Sequence, residues 1–151
     1  MTRAVQFLKS QGISFETAEY EDDEKGAAFA SQAIGVPLEK TIKTLMIEFT
    51  PKAYLVALMP GNKKVPFKKL ARLRGAKRAF MADSATAERL SGYLIGGISP
   101  FAMTKDLPLV IDAELLAFDR VAINGGKRGL MLIMKPSDIL KATGAEPLDF
   151  C

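Results

Sequence analysis

The chain is predicted to fold as a single α+β domain over residues 1–151, with a central mixed, mostly antiparallel sheet flanked by short helices. Three observations predict it. Short apolar or alternating runs of strand length recur along the sequence, short amphipathic runs interrupt them irregularly, and Gly or Pro stands at most junctions. The amphipathic segments are too short and irregular for a doubly wound parallel sheet. No linker, repeat or low-complexity stretch divides the 151 residues.

Taken in order, Thr2 is placed to cap a first helix carrying Val5, Leu8 and Gln11 on one face and ending at Gly12. Residues 13–20 then alternate, with Ile13, Phe15 and Thr17 set against Ser14, Glu16 and Ala18, the pattern of a half-buried strand. The acidic run Glu21-Asp22-Asp23-Glu24 reads as the solvated start of a second helix through Phe29, Ala30, Ala33 and Ile34, stopped by Gly35. Thr44–Phe49 and Ala53–Met59 form a hairpin across Thr50-Pro51-Lys52. Pro66 opens a helix with Phe67, Leu70 and Ala71 inward and Gly75 at its end. A short strand follows at Ala79–Met81, then a helix capped by Asp83 or Ser84 and running to Leu90. Leu109–Ile111, Val121–Asn124 and Leu130–Met134 are further strands, and a last helix spans Pro136–Ala142 before Gly144.

Composition excludes several chemistries. There is no histidine, so neither a Ser-His-Asp nor a Cys-His arrangement nor a His-ligated zinc site can be built. The single cysteine, Cys151, leaves no disulfide, thiolate cluster or CxxC pair. No clustered acidic motif supports a carboxylate-bound metal, so no metal and no cofactor is expected. With no apolar run of spanning length and no leader pattern, the chain is expected in the cytoplasm and away from membranes.

Three segments and one stretch of charge stand out. Lys43 lies at the mouth of an apolar strand, where an ammonium is either a snorkelling surface group or, partly shielded, a holder of anions. Gly92-Tyr93-Leu94-Ile95-Gly96-Gly97-Ile98-Ser99-Pro100-Phe101 pairs glycines ahead of Ser-Pro, either as a tight turn or to aim backbone N–H groups into a site. It lacks the spacing of a nucleophile elbow or a Walker loop. Asn124-Gly125-Gly126-Lys127-Arg128-Gly129 joins two strands as a hairpin signal that is also glycine-rich and basic enough to meet phosphates. Between Lys63 and Arg78 lie eight cations and no acid, in a chain whose total is +4. Lys68, Lys69 and Arg72 sit within it, the footprint either of a solvated helix face or of a phosphate-backbone partner.

Lys43-Thr44-Leu45, Gly92 through Pro100, and Gly125-Gly126-Lys127-Arg128-Gly129-Leu130, in that order, resemble the YbaK/EbsC family. That family comprises free-standing aminoacyl-tRNA deacylases, including Cys-tRNA(Pro) deacylases, and the editing domain inserted in bacterial prolyl-tRNA synthetases. The likeness extends over nearly the whole chain, taking in Ile13-Ser14-Phe15, Tyr20 and Ala82-Asp83. It implies a compact α+β domain with a barrel-like central mixed sheet. It also implies Lys43 and Gly96 as catalytic positions, Tyr20, Phe29 and Thr44 as lining for an amino-acid pocket, and tRNA as partner, with tRNA(Pro) and prolyl-tRNA synthetase foremost.

On that footing the chain is expected to hydrolyse the ester of a mischarged tRNA, Cys-tRNA(Pro) or one carrying a related small amino acid. Lys43 would hold the terminal phosphate or ribose, and the backbone around Gly96, Gly97 and Ile98 would meet the oxyanion. Ser99 and Pro100 complete that loop, Ser99 reading as structural rather than as a nucleophile, and Lys127 and Arg128 would face tRNA. Asn124 and Met131 depart from the serine and aspartate expected in the Cys-tRNA(Pro) branch, and with Gly125 they are candidate substrate contacts. The alternative is a non-catalytic module of the same fold that binds tRNA or a synthetase.

Overall fold

A computed structural model describes residues 1–21 and 27–150. Its helices are α1 (Arg3–Ser10), α2 (Ala27–Ile34), α3 (Phe67–Leu73), α4 (Ser84–Ser91) and α5 (Pro136–Thr143). Its strands are β1 (Glu16–Glu19), β2 (Ile42–Phe49), β3 (Ala53–Pro60), β4 (Ala79–Met81), β5 (Leu109–Asp112), β6 (Val121–Asn124), β7 (Leu130–Met134) and β8 (Glu146–Leu148). From Asp22 to Glu24 the acidic run lies outside the described residues.

The expected hairpin is the spine of the fold. β2 and β3 pair antiparallel over their whole length, from Ile42 opposite Pro60 to Phe49 opposite Ala53. β3 is apolar without alternation because both its faces are covered. Val56 and Leu58 enter one apolar cluster, while Leu55, Ala57 and Met59 enter a second. The first cluster gathers Val5 and Leu8 of α1, Leu90 of α4, Ile139 of α5, and Ile123 and Leu132 of β6 and β7. The second is closed by Leu70 of α3 and by Phe150.

Two sheets result, β4-β2-β3-β5-β8 and β1-β7-β6. The pairs β3–β5 and β5–β8 are parallel and the others antiparallel, as a mixed sheet requires. Among the described residues the sheets meet at one parallel bridge, Thr41 to Ala122, so the barrel-like arrangement does not close. No described helix is long and apolar enough to cross a membrane.

Several local expectations need correction. Gln11 is exposed, and the inner face of α1 is Ala4, Val5 and Leu8. The first strand is only β1, and Ala18 and Tyr20 turn inward rather than Thr17, because pairing with β7 reverses the alternation assumed from Ile13. Ala33 is exposed on α2, and Ala30 and Ser31 are buried instead. Pro66 caps α3 rather than opening it. The 3₁₀ turns Leu38–Lys40 and Ala113–Ala117 and strand β8 carry no sequence signal that the periodicity could show.

The capping expectations hold. Thr2 Oγ1 accepts from Val5 N at 3.1 Å and donates to Gly125 O at 2.6 Å, so the cap also ties α1 to the β6–β7 loop. Asp83 caps α4, accepting from Thr86 N at 2.8 Å. After α4 the chain from Gly92 to Met103 runs without regular structure and is pinned from α1. Arg3 donates to Ala102 O at 2.9 Å and Ser91 O at 3.0 Å, and its guanidinium lies 4.8 Å from the Tyr93 ring centroid. The Tyr93 hydroxyl donates to Phe101 O inside the core.

Burial raises the Tyr93 phenol above its usual pKa near 10, a larger effect than the lowering by Arg3 and Ser99. Because the neutral phenol is the form the fold favours, its contribution is complete below pH 10 and is lost as pH rises through the folded value. Tyr93→Phe strands the Phe101 carbonyl and should cost about 1–3 kcal/mol in urea denaturation at neutral pH. The same variant should show a shallower alkaline loss of stability than wild type. Equal stability at both pH values would remove Tyr93 as the anchor of this loop.

Candidate active site

The site forms where β2 runs out of neighbours. On one edge β2 pairs with β3 throughout; on the other, β4 reaches only Ile47–Phe49, and Met46 O takes one further bond from Ala82 N at 3.0 Å. The next contact along that edge is the Thr41–Ala122 bridge. Between them no described strand covers residues 42–45, and a cavity of about 280 Å³ opens there. Strand alternation turns the backbone groups of Thr44 toward the same open edge as the Met46 carbonyl.

Lys43 and Thr44 form the floor of this cavity. Lys43 is half-buried, and its Nζ donates to Lys63 O in the β3–α3 loop. Lys63 in turn reaches Glu114 at 3.8 Å, which steadies the loop that receives Lys43. Thr44 Oγ1 is buried with no hydrogen-bond partner among the described residues. An unpaired buried hydroxyl costs about 1–3 kcal/mol, so Thr44 is a candidate to bond a ligand in the cavity.

Tyr20, Ala30 and Met131 make one wall. Met131 is 3% exposed and packs with Ala30 and Ala122, while its neighbours Leu130 and Leu132 turn into the main core. The alternation on β7 thus aims Met131 at the cavity. Met81, 42% exposed, stands at the mouth with Ala82. Ile95, Gly96, Ile98 and Asn124 form the remaining side.

The two glycine-rich segments of the sequence meet at this side. Asn124 Nδ2 donates to Gly96 O at 3.1 Å, and its Oδ1 accepts from Gly126 N at 2.7 Å. Arg128 Nε donates to Ile95 O at 3.1 Å. Gly96 has φ +90°, and a Cβ there would stand 2.5 Å from Arg128 Nε; one on Gly97 would stand 2.7 Å from Lys127 Cα. Only glycines permit so close an approach of the two loops.

The expected site residues therefore divide. Lys43, Thr44, Tyr20, Gly96, Ile98, Asn124 and Met131 converge on the cavity. Phe29 does not line it but packs on Tyr20, ring centroids 5.8 Å apart. Ser99 and Pro100 are buried behind the loop, and Ser99 Oγ accepts from Phe101 N at 3.2 Å, a structural bond. Gly97 N–H is committed to Leu94 O at 2.9 Å, so it is not an oxyanion donor, and Gly125 N–H is committed to Leu130 O at 2.9 Å. Asn124 is a stitch between loops, with both amide ends engaged.

The cations separate too. Lys127 and Arg128 are exposed beside the glycine loops. Lys68 and Arg72 are exposed along a groove between α3 and β4, which Lys77 and Arg78 also line. Lys69 instead donates to Asp149 O at 2.9 Å and holds the chain end. Ile42, Met46 and Met81 also line the cavity and carry no mark in the sequence, because an apolar residue in a pocket and one in a core look alike there.

The sequence matches the aminoacyl-tRNA editing domain over residues 21–142. The chain is 28% identical over 152 residues, 98% of its length and 90% of the relative's, to the multifunctional Ser/Thr-tRNA deacylase ProXp-y of Escherichia coli K12. It is 27% identical over 147 residues, 96% of its length and 90% of the relative's, to EbsC of Enterococcus faecalis, named for Cys-tRNA(Pro) and Cys-tRNA(Cys) deacylation. A proline–tRNA ligase of Desulforamulus reducens matches 86% of the chain at 27% identity, within 21% of the ligase. The fold superposes with TM-score 0.85 at 24% identity on a crystal structure described as a trans-editing enzyme for prolyl-tRNA synthetase, covering 99% of this chain and 97% of that one. With about four-fifths of its length matched, the chain belongs to the aminoacyl-tRNA editing domain family.

Proposed function

We propose that residues 1–151 act as one editing domain in the cytoplasm, a trans-acting deacylase that hydrolyses the ester of mischarged aminoacyl-tRNA. The observation that carries the reading is that Lys43 and Thr44, whose hydroxyl has no partner among the described residues, both line a small apolar cavity beside a glycine loop. The cavity suits the side chain of a small amino acid. The deacylase names of EbsC and ProXp-y support the reaction class, and the proline–tRNA ligase relatives support tRNA(Pro) and its synthetase as partners.

The ester of an amino acid to a ribose hydroxyl is already activated, so positioning and charge stabilisation replace an imidazole. Lys43 holds the ribose end of the ester at the edge of the cavity, exchanging the Lys63 carbonyl for a polar substrate oxygen. Thr44 Oγ1 takes the hydrogen bond its burial leaves open. Water, or the thiol where the amino acid is cysteine, adds to the carbonyl carbon. The backbone N–H groups of Gly96 and Ile98 then face the oxyanion, and the proton is delivered to the departing ribose oxygen as the ester bond breaks.

Lys43→Ala should lower deacylation at least about 100-fold, the scale of removing one transition-state interaction, with an unchanged circular dichroism spectrum. Near-normal turnover by a folded Lys43→Ala protein removes Lys43 from the mechanism.

Lys68→Glu with Arg72→Glu should weaken binding of whole tRNA and flatten its salt dependence. The log–log slope should fall by roughly 0.7–0.9 for every phosphate the protein no longer neutralises. Hydrolysis of aminoacyl-adenosine should be unaffected. An unchanged slope would make the groove an ordinary solvated face.

Met131→Ala should enlarge the cavity and shift selectivity toward larger amino acids. Each methylene is worth about 1–3 kcal/mol in such a pocket, so the ratio of Thr- to Ala-tRNA(Pro) hydrolysis should move by roughly tenfold or more. A constant ratio would show that Met131 only packs.

A further inference from the structure

We propose that a second cavity, beside the first, seats the nucleoside at the acceptor end of the substrate, with Leu94 as the apolar surface for its base and Lys127 as counter-charge to its phosphate. The proposal rests on the deacylase reading and says where the nucleotide half of that substrate goes. The first cavity, at about 280 Å³ and largely apolar, takes an amino-acid side chain and leaves the nucleoside outside. The second measures about 800 Å³, within the range of roughly 300–1,000 Å³ typical of ligand sites. The two share Ile95 as a wall, so an ester at the junction places its acyl part in one and its ribose in the other.

Leu94 is 74% exposed, yet it is not on a loose tip. Its carbonyl accepts from Gly97 N at 2.9 Å, and the next residue's N–H is held by Glu88 Oε2 at 2.8 Å. An apolar side chain carried by firmly anchored backbone at the rim of a cavity presents a surface that suits the face of a base. Lys127 and Arg128 stand at the same cavity and give it positive charge. The basic groove on α3 shares no wall with the catalytic cavity, which fits it for phosphates farther along the tRNA.

Titrating adenosine 5′-monophosphate into the isotope-labelled protein should shift the amide resonances of Leu94, Gly97, Gly126 and Lys127. Leu94→Asp, an exposed change, should raise KM for aminoacyl-adenosine roughly tenfold, the scale of removing one apolar surface from the base, with kcat within about twofold. Hydrolysis of the amino-acid methyl ester, which carries no nucleoside, should be the same in both proteins. Leu94→Ala provides the uncharged control and should show a smaller KM rise in the same direction. Nucleotide shifts confined to α3 and β4, or an unchanged KM in both variants, would overturn the proposal. A protein that binds the nucleotide at Leu94 but deacylates nothing would refute the enzymatic reading and leave this subsite standing.

Discussion

The structure depends on an edge that is left open. β2 is an interior strand with a complete partner in β3, yet among the described residues its other edge is covered only at the two ends, by β4 beyond Met46 and by Ala122 at Thr41. A closed barrel would have committed those backbone groups to a ladder and filled the space with side chains. Holding the sheets apart by a few residues leaves a polar strip in an apolar wall. That combination recurs in small-molecule sites, where an apolar lining supplies fit and a few convergent polar groups supply orientation. The strand that anchors both cores thereby also holds Lys43 and Thr44.

Closing the fourth side falls to two loops with no regular structure, and their mutual fit replaces a ladder. Asn124 bonds both of them, Arg128 caps Ile95, and Gly96 and Gly97 remove the atoms that would hold the loops apart. Tyr93 and Arg3 then tie the first loop to α1. This arrangement recasts the replacement of serine by asparagine at position 124. The longer side chain spans from one loop to the next with both amide ends, so on the proposed reading any effect on substrate would run through the position of Gly96.

What the sequence revealed and what it concealed follow from the range of the forces involved. Caps and helix ends are local, and Thr2, Asp83 and Gly144 mark theirs correctly. The central hairpin is legible because its apolar run is long enough to require burial on both faces. β8 is three residues pairing in parallel with β5, a pairing of distant segments that leaves no periodicity. The inward turn of Ala18 rather than Thr17 is decided by register against β7, which no alternation within residues 13–20 can reveal. At the site, the glycine pairs and Lys43 were visible as unusual residues. Their apolar neighbours were not, and neither was Arg3, whose role depends on chain segments about ninety residues away.

The chemistry that remains available also constrains what the site discriminates. Without histidine, the site has no imidazole to move protons. Selection therefore rests on which esters reach the junction below Gly96 in reactive alignment. On the acyl side, Met131, Tyr20 and Ala30 present an apolar boundary that excludes by size and rewards small differences weakly. On the proposed reading, the Thr44 hydroxyl, buried and without a partner among the described residues, would distinguish strongly, since a substrate that leaves it unbonded forfeits a buried hydrogen bond. A small amino acid presenting a hydroxyl or thiol to Thr44 would satisfy both conditions, whereas a purely apolar one of equal size would meet only the first. On that reading size sets the upper limit of what enters, and the Thr44 hydroxyl ranks what has entered.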